Sequence, residues 1–296
     1  MVQKGVVAVL QNVNGQVAPL AKLVEAANIP IFAYNTADSS VLGYADGFSV
    51  SNPVAGLALF PAELAKKGGF TKAAIITVDV PAALGPIKAL APPTFAALGV
   101  PAVDIVGIAQ GTADMGPQVQ SELQKSPQLV HIVGNPAFCA TVIKALRDAS
   151  YSGTITMISN CLDASTIKSV GADLKGILVS YLASEDPANP DFQTFKAVVA
   201  KYDGGQINPS GTPVGSFVGI VAFNRVMATA TGTADLTSDS VIATIKAAPA
   251  LPYPTIAGVT FQCNGKAVPG LPIVCSAGFA YATLDDSGVP ATFSAG

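Results

Sequence analysis

Charge is what this sequence has least of. Only 12% of the 296 residues are Asp, Glu, Lys or Arg, the net charge is −3, and no Lys/Arg cluster interrupts the chain. Nucleic acid and anionic membrane surfaces both call for a basic face, so neither is expected as a partner. Histidine is rarer still. His131 is the only one, and it lies within the apolar run Leu129–Gly134, where a satisfied core histidine is the ordinary reading. A Ser-His-Asp or Cys-His centre would have no other base to use. The chain also lacks G-x-S-x-G, G-x-x-x-x-G-K-[ST] and G-x-G-x-x-G. Its paired carboxylates, Glu185-Asp186 and Asp285-Asp286, stand in turn-like stretches. Without C-x-x-C, the lone histidine cannot complete a zinc set of usual spacing. No catalytic set, metal or cofactor is expected. Half of the residues are hydrophobic, yet no run reaches the 18 or so apolar residues of a membrane span.

Four cysteines are present: Cys139, Cys161, Cys263 and Cys275. An even count at loop-like positions fits two disulfides and an oxidising compartment; four buried free thiols are the alternative. Met1-Val2-Gln3-Lys4 runs straight into an apolar run, with no leader pattern before it. An exported chain would then have shed its leader, or the sequence starts late.

The length suits two domains. Val6 to Leu10 is apolar without alternation, as in a strand buried on both faces of a parallel sheet. Val17, Leu20, Ala21 and Val24 follow at helical spacing, and Ile29 to Tyr34 reads as a second strand. This is a βαβ unit with a right-handed crossover. Its polar loops, 11–15 and 35–40, leave the carboxyl ends of adjacent strands, the edge at which open α/β sheets bind small ligands. The alternation continues. Strands are expected at 72–80, 103–108, 129–134, 154–159 and 176–183. Helices are expected at 52–67, 119–124 and 162–170, with a further one at 81–98 interrupted by Pro92-Pro93. Such alternation means α/β with a mainly parallel sheet. Past residue 184 the pattern turns helical, at 190–202, 215–231 and 238–248. Apart from Asn224 and Arg225, the middle one is apolar nearly all round and should be deeply packed. From Val259 onward antiparallel strands are expected, their connection clipped by Cys263 and Cys275.

The order of elements resembles the type I periplasmic solute-binding proteins, in particular the branched-chain amino acid (Leu/Ile/Val) receptor family of ABC importers. The matching stretches are Lys4-Gly5-Val6-Val7-Ala8-Val9-Leu10, Ala27-Asn28-Ile29-Pro30-Ile31-Phe32 and Phe70-Thr71-Lys72-Ala73-Ala74-Ile75-Ile76. Further along come Ala145-Leu146-Arg147-Asp148-Ala149 with Gly153, Gly171-Ala172-Asp173-Leu174-Lys175-Gly176-Ile177 and Asp186-Pro187-Ala188-Asn189-Pro190. The resemblance covers almost the whole chain. It implies a two-lobed fold of mainly parallel sheets flanked by helices, with three hinge crossings near Val50, Leu182 and Phe261. Residues 1–49 and 183–260 would form the amino-terminal lobe, and 50–182 and 261–296 the other. Family members begin with two further βα units, so the amino-terminal lobe is expected to be incomplete, with a homodimer or a missing amino-terminal segment covering exposed apolar surface.

The same resemblance implies an extracytoplasmic protein, periplasmic or at the cell surface, that delivers a small solute to the membrane subunits of an ABC importer, the two lobes closing on the solute. Asn14 and Gly15 fall where the family often has serine. Asn35, Thr36 and Ala37 fall on a run that grips a carboxylate. Leu84 falls at a frequent cleft aromatic, with small Ala83 beside it, and Asn135 falls at another. Asn160 replaces the acidic residue that meets an α-ammonium group, and an amide cannot neutralise that charge. Phe138 and Tyr181 could supply an aromatic wall, and Asp79 the lost charge unless it caps the next helix. Cys139 and Cys161 would follow adjacent strands, and a bridge would fix two loops. The ligand classes left open are an amino acid, an amide and a small organic or aromatic acid. A cytosolic ligand sensor with the same fold is the alternative function, and an α/β enzyme a third.

Overall fold

A computed structural model describes residues 2–12, 18–36, 39–204, 207, 212–230 and 236–296. In chain order the strands are β1 Val9–Gln11, β2 Ile31–Ala33, β3 Gly47–Ser49, β4 Lys72–Val78, β5 Ala102–Ile108, β6 Leu129–Val133, β7 Thr154–Ile158, β8 Leu178–Tyr181, β9 Leu251–Pro252, β10 Thr260–Phe261, β11 Ala280–Leu284 and β12 Pro290–Ala295. The α-helices are α1 Ala18–Glu25, α2 Ser39–Leu42, α3 Phe60–Lys67, α4 Pro81–Ala97, α5 Gly116–Leu123, α6 Pro136–Asp148, α7 Ala164–Val170, α8 Pro190–Asp203, α9 Thr212–Met227 and α10 Ser238–Ala247. The fold is α/β, and the chain divides into two units. The first comprises Met1–Pro53 and Leu182–Phe279; the second comprises Val54–Tyr181 and Ala280–Ser294.

The first unit is built on a parallel sheet in the order β1-β2-β3. One face packs on α1: Val9, Ile31 and Ala33 meet Ala21 and Val24 in one apolar cluster. The other face carries α9, which comes close because it offers glycine at two successive turns. A Cβ on Gly215 would stand 2.3 Å from Tyr34 Cε1, and one on Gly219 would stand 3.2 Å from Tyr34 Cβ. Phe32 meets Phe223 of α9 edge-on at 5.3 Å. Val214, Val218, Ala222 and Val226 are buried at four-residue spacing. Ile220, on the far side of α9, is 59% exposed, so the helix packs against the sheet, α8 and α10 but not all round. A three-stranded sheet offers it a single face to cover. At the sheet's open edge Leu10 is 46% and, on α1, Leu23 is 64% exposed. β1 is also shorter than the apolar run it sits in, because β2 begins only after Pro30, which has no N–H to add to a ladder.

The final crossing falls after Phe279 and not near Phe261. Backbone pairing holds the intervening stretch to the first unit. Ser49 bridges Val274, and Cys275 N–H donates to Ser49 O at 2.8 Å. The Cys263–Cys275 disulfide closes this stretch on itself, and β9 and β10 pair antiparallel beside it.

The second unit holds a seven-stranded sheet in the order β12-β11-β8-β7-β6-β4-β5. From β5 to β8 every pairing is parallel, and β11 joins β8 antiparallel. The seven residues of β4 are buried after Lys72 and its two neighbours are both in the sheet, as continuous apolar runs require. The helix α4 runs unbroken through Pro86, Pro92 and Pro93. Proline frees the carbonyl four residues earlier, and those at Ala82, Lys88 and Ala89 belong to exposed residues that water can serve. The buried stripe Ile87, Ala91 and Phe95 continues past the prolines. Ahead of α3 the chain enters its helix through a π-turn, Ala55–Leu59. Gly56 O in that turn accepts from His131 Nε2 at 2.8 Å.

Candidate functional site

In the parallel part of the second unit the strand order reverses between β4 and β6. In open α/β sheets, crevices form outside the carboxyl ends of strands at such a point. The chain leaves β4 at Asp79, an exposed residue whose N–H donates to Ile108 O at 2.8 Å. Asp79 does not cap α4; the cap position is Val80, with no side-chain hydrogen bond. Ala83, half-buried, lies in the first turn. The chain leaves β6 at Gly134-Asn135. Asn135 is exposed, and its side chain accepts from Phe138 N–H at 3.0 Å, capping α6. Asn160 is exposed in the short 3-10 turn after β7. Asp79, Asn135 and Asn160 thus share one sheet edge. The two aromatics do not form a wall there. Phe138 is 4% exposed, its ring over Gly134, and Tyr181 is 1% exposed, packed edge-on against Phe293 at 5.1 Å. Both fill the unit's own core. The disulfide Cys139–Cys161, with Cα atoms 5.4 Å apart, ties the first turns after β6 and β7 together.

The first unit presents a second carboxyl edge, and it is lined with neutral polar groups. Asn12 Nδ2 donates to Ser216 Oγ of α9. Ser51 Oγ donates to Tyr34 O at 2.6 Å, and Ser49 Oγ to Ser51 O at 2.9 Å. Thr36 is 6% exposed. Burial raises the Tyr34 hydroxyl pKa well above its ordinary value, aided by the neighbouring charges of Tyr253 and Glu185. Asn35 is half-buried, and its Oδ1 is enclosed without a hydrogen-bond partner among the described residues. Gln11 is 8% exposed, and both atoms of its carboxamide are enclosed and unpartnered in the same sense. Asn14, Gly15 and Ala37 lie outside the described residues. Sequence reasoning placed Gln11 and Asn12 at this edge only as part of loop 11–15, without singling them out, and passed over Ser51 and Ser216. The one signal available was a glutamine extending the apolar run Val6–Leu10.

His131 is fully buried and serves the core. Its Nε2 must be the donor to the Gly56 carbonyl, so Nδ1 accepts from Thr156 Oγ1 at 2.8 Å. Burial lowers its pKa to about 4. Among the described residues no group of three or more His, Cys, Asp or Glu could hold a metal ion, and no helix is long and apolar enough to cross a membrane. A cavity of about 530 Å³ opens at the amino end of β3, between Leu42, Tyr44, Phe48, Lys246 and Ile273. Its cation is already paired, Lys246 Nζ to Asp46 Oδ1 at 2.7 Å, and it lies away from the strand carboxyl ends.

No protein with a curated description matches the sequence. Solved structures match in fold. A leucine binding protein from Thermotoga maritima is 14% identical with a TM-score of 0.71, over 99% of this chain and 80% of its own. A solute binding protein of an ABC transporter from Rhodopseudomonas palustris, in complex with p-hydroxybenzoic acid, is 18% identical with a TM-score of 0.73, over 96% and 75%. An extracellular ligand-binding receptor from Verminephrobacter eiseniae is 16% identical with a TM-score of 0.77, over 98% and 82%. A family model described as periplasmic binding protein matches residues 1–275. With that match over most of its length, two disulfides and mainly parallel sheets flanked by helices, the chain belongs to the periplasmic binding protein family.

Proposed function

We propose that the chain is the extracytoplasmic solute-binding component of an ABC importer and holds a small polar solute at the carboxyl ends of its parallel strands. The family match over residues 1–275 carries this reading. Both cysteine pairs are bridged and no cysteine is free, which suits an oxidising compartment and not a cytosolic sensor. The family and fold are those of solute-binding proteins. Among the structural neighbours, one is described as a leucine binding protein and two as complexes with hydroxybenzoate. The residues offered for contact are Asn35 and Thr36 in the first unit, and Asp79, Ala83, Asn135 and Asn160 in the second.

The partners are the solute and the membrane subunits of the importer. The open edge of β1, beside exposed Leu10 and Leu23, is where the expected cover would pair, and sedimentation of the purified chain reads it. A dimer supports a second copy there; a monomer counts against it.

Native mass spectrometry of what co-purifies, then thermal shift against amino acids, amides and organic acids, tests the function. A ligand at 100 times its Kd adds about 2.7 kcal/mol, which for a chain of this size moves Tm by about 4 °C. If nothing co-purifies and no compound moves Tm, the reading fails.

A further inference from the structure

Resting on the solute-binding reading, we infer that Gln11 is a specificity-determining contact, and that the group it recognises is a neutral carboxamide and not a carboxylate. Gln11 is the last residue of β1 and stands in register with Ala33, the last residue of β2, and Asn35 follows two residues beyond that strand's end. Neighbouring strands lie about 4.8 Å apart and two residues span about 6.6 Å, so both side chains reach one small group. Gln11 is 92% buried, and its Oε1 and Nε2 have no partner among the described residues; neither has Asn35 Oδ1. A fold that encloses three such atoms at one strand edge has left them for a guest.

The donor and acceptor count selects the guest. Gln11 offers one acceptor and one NH2 donor, and Asn35 offers an acceptor. A primary carboxamide meets all three. Its carbonyl accepts from Gln11 Nε2, one of its N–H groups donates to Gln11 Oε1, and the other donates to Asn35 Oδ1. With the Asn35 amide rotated, the second lone pair of the guest's carbonyl accepts instead, so the count still closes. A carboxylate has no proton to donate. In either rotation it leaves Gln11 Oε1 enclosed and unpaired, which is the costly outcome for a buried polar group. Among the described residues the rest of this edge supplies no countercharge: Asn12, Thr36, Ser51 and Ser216 are neutral, and the acidic charge felt at Tyr34 is that of Glu185. An anionic guest finds hydrogen-bond donors among them but no ion pair.

Matched pairs on the full chain test this: isobutyramide against isobutyrate, and benzamide against benzoate, by isothermal titration and thermal shift at pH 7.5. The amide member of a pair should bind at least tenfold tighter. In Gln11→Leu the amide-to-acid ratio should fall to near one, while the melting temperature without ligand stays level or rises, because an unpaired buried amide has become hydrocarbon. Asn35→Ala should weaken the amide severalfold and keep the preference. Tighter acid binding, a preference that survives in Gln11→Leu, or a ligand-free melting temperature lowered by several degrees in Gln11→Leu and Gln11→Met each overturns the inference. Acid-only binding does so while leaving the solute-binding reading intact; a chain that binds none of these and carries nothing from the cell loses both.

Discussion

Acidifying from pH 7 to pH 5 should cost the fold about 2 kcal/mol through one side chain, His131. Burial withholds water from its imidazolium and lowers its pKa from 6.5 to about 4; the hydrogen bond to Gly56 O pulls weakly the other way. An unfolded chain takes up this proton near pH 6.5 and the folded chain only near 4. Between those values the unfolded state binds more protons, so stability is complete above 6.5 and drains as pH falls through the window. At about 1.4 kcal/mol per pH unit, the whole window is worth about 3.5 kcal/mol. The structural cause is specific. Both ring nitrogens are occupied, by Thr156 Oγ1 and Gly56 O, and a protonated ring would turn Nδ1 from acceptor into donor.

The assay is urea unfolding at pH 7.5, 6 and 5 for the wild type and for His131→Gln, which does not titrate. Other groups change with pH in both proteins, so the difference between the two slopes isolates the imidazole. At pH 7.5 the variant should be less stable by roughly 1–3 kcal/mol, having disturbed two buried hydrogen bonds, and the gap should shrink by about 2 kcal/mol at pH 5. The chain contains a single histidine, so its ring proton signals in NMR can belong to no other residue. A native-state imidazole that titrates near 6.5, or parallel pH profiles for the two proteins, would refute the reasoning.

Thiol titration of the denatured, unreduced chain should find no reactive cysteine, and four after reduction, since both pairs are bridged. Replacing either pair by serine should cost about 3 kcal/mol in the chain-entropy account, with sequence separations of 22 and 12; denaturant midpoints that do not move would contradict it. Gly215→Ala should destabilise by roughly 1–3 kcal/mol, as its Cβ would meet the buried Tyr34 ring at 2.3 Å. Calorimetry that finds Gly215→Ala as stable as the wild type would show the helix contacts to be misassigned.

The second unit was the more legible from sequence, for a physical reason. Its central strands are buried on both faces, so runs such as Ala73–Val78 and Leu129–Val133 are apolar but for Thr77 and His131, and burial rather than neighbouring detail sets their length. Where context decides, the pattern misled. Pro92-Pro93 reads as a break, but the break depends on whether the freed carbonyls reach water, and along α4 they do. The helix α9 is apolar on nearly every side, yet sequence cannot tell that only one sheet face waits for it. The stretch 261–279 looks like the start of the second lobe. A backbone bridge to Ser49, invisible in composition, holds it to the first.

The site was legible only where a residue's role is local. Asn135 ahead of Pro136 announces a helix cap, and the structure gives it that role through Phe138 N–H, which also explains why a residue proposed for ligand contact need not have been placed there by a ligand. Phe138, in the first turn of α6, and Tyr181, at the end of β8, illustrate the converse: whether such an aromatic points into the core or out of it depends on how its element packs, and both here point in. Gln11 was not singled out because side-chain burial is not written in a side chain. A glutamine ending an apolar run is, on composition alone, the first residue of a loop. Its meaning appears only when the register with Ala33 and the approach of the neighbouring elements show that water has been shut out from both of its polar atoms. A polar residue that the fold encloses without answering is therefore better evidence for a ligand than any of the exposed amides at the other sheet edge, since those can be satisfied by solvent and Gln11 cannot.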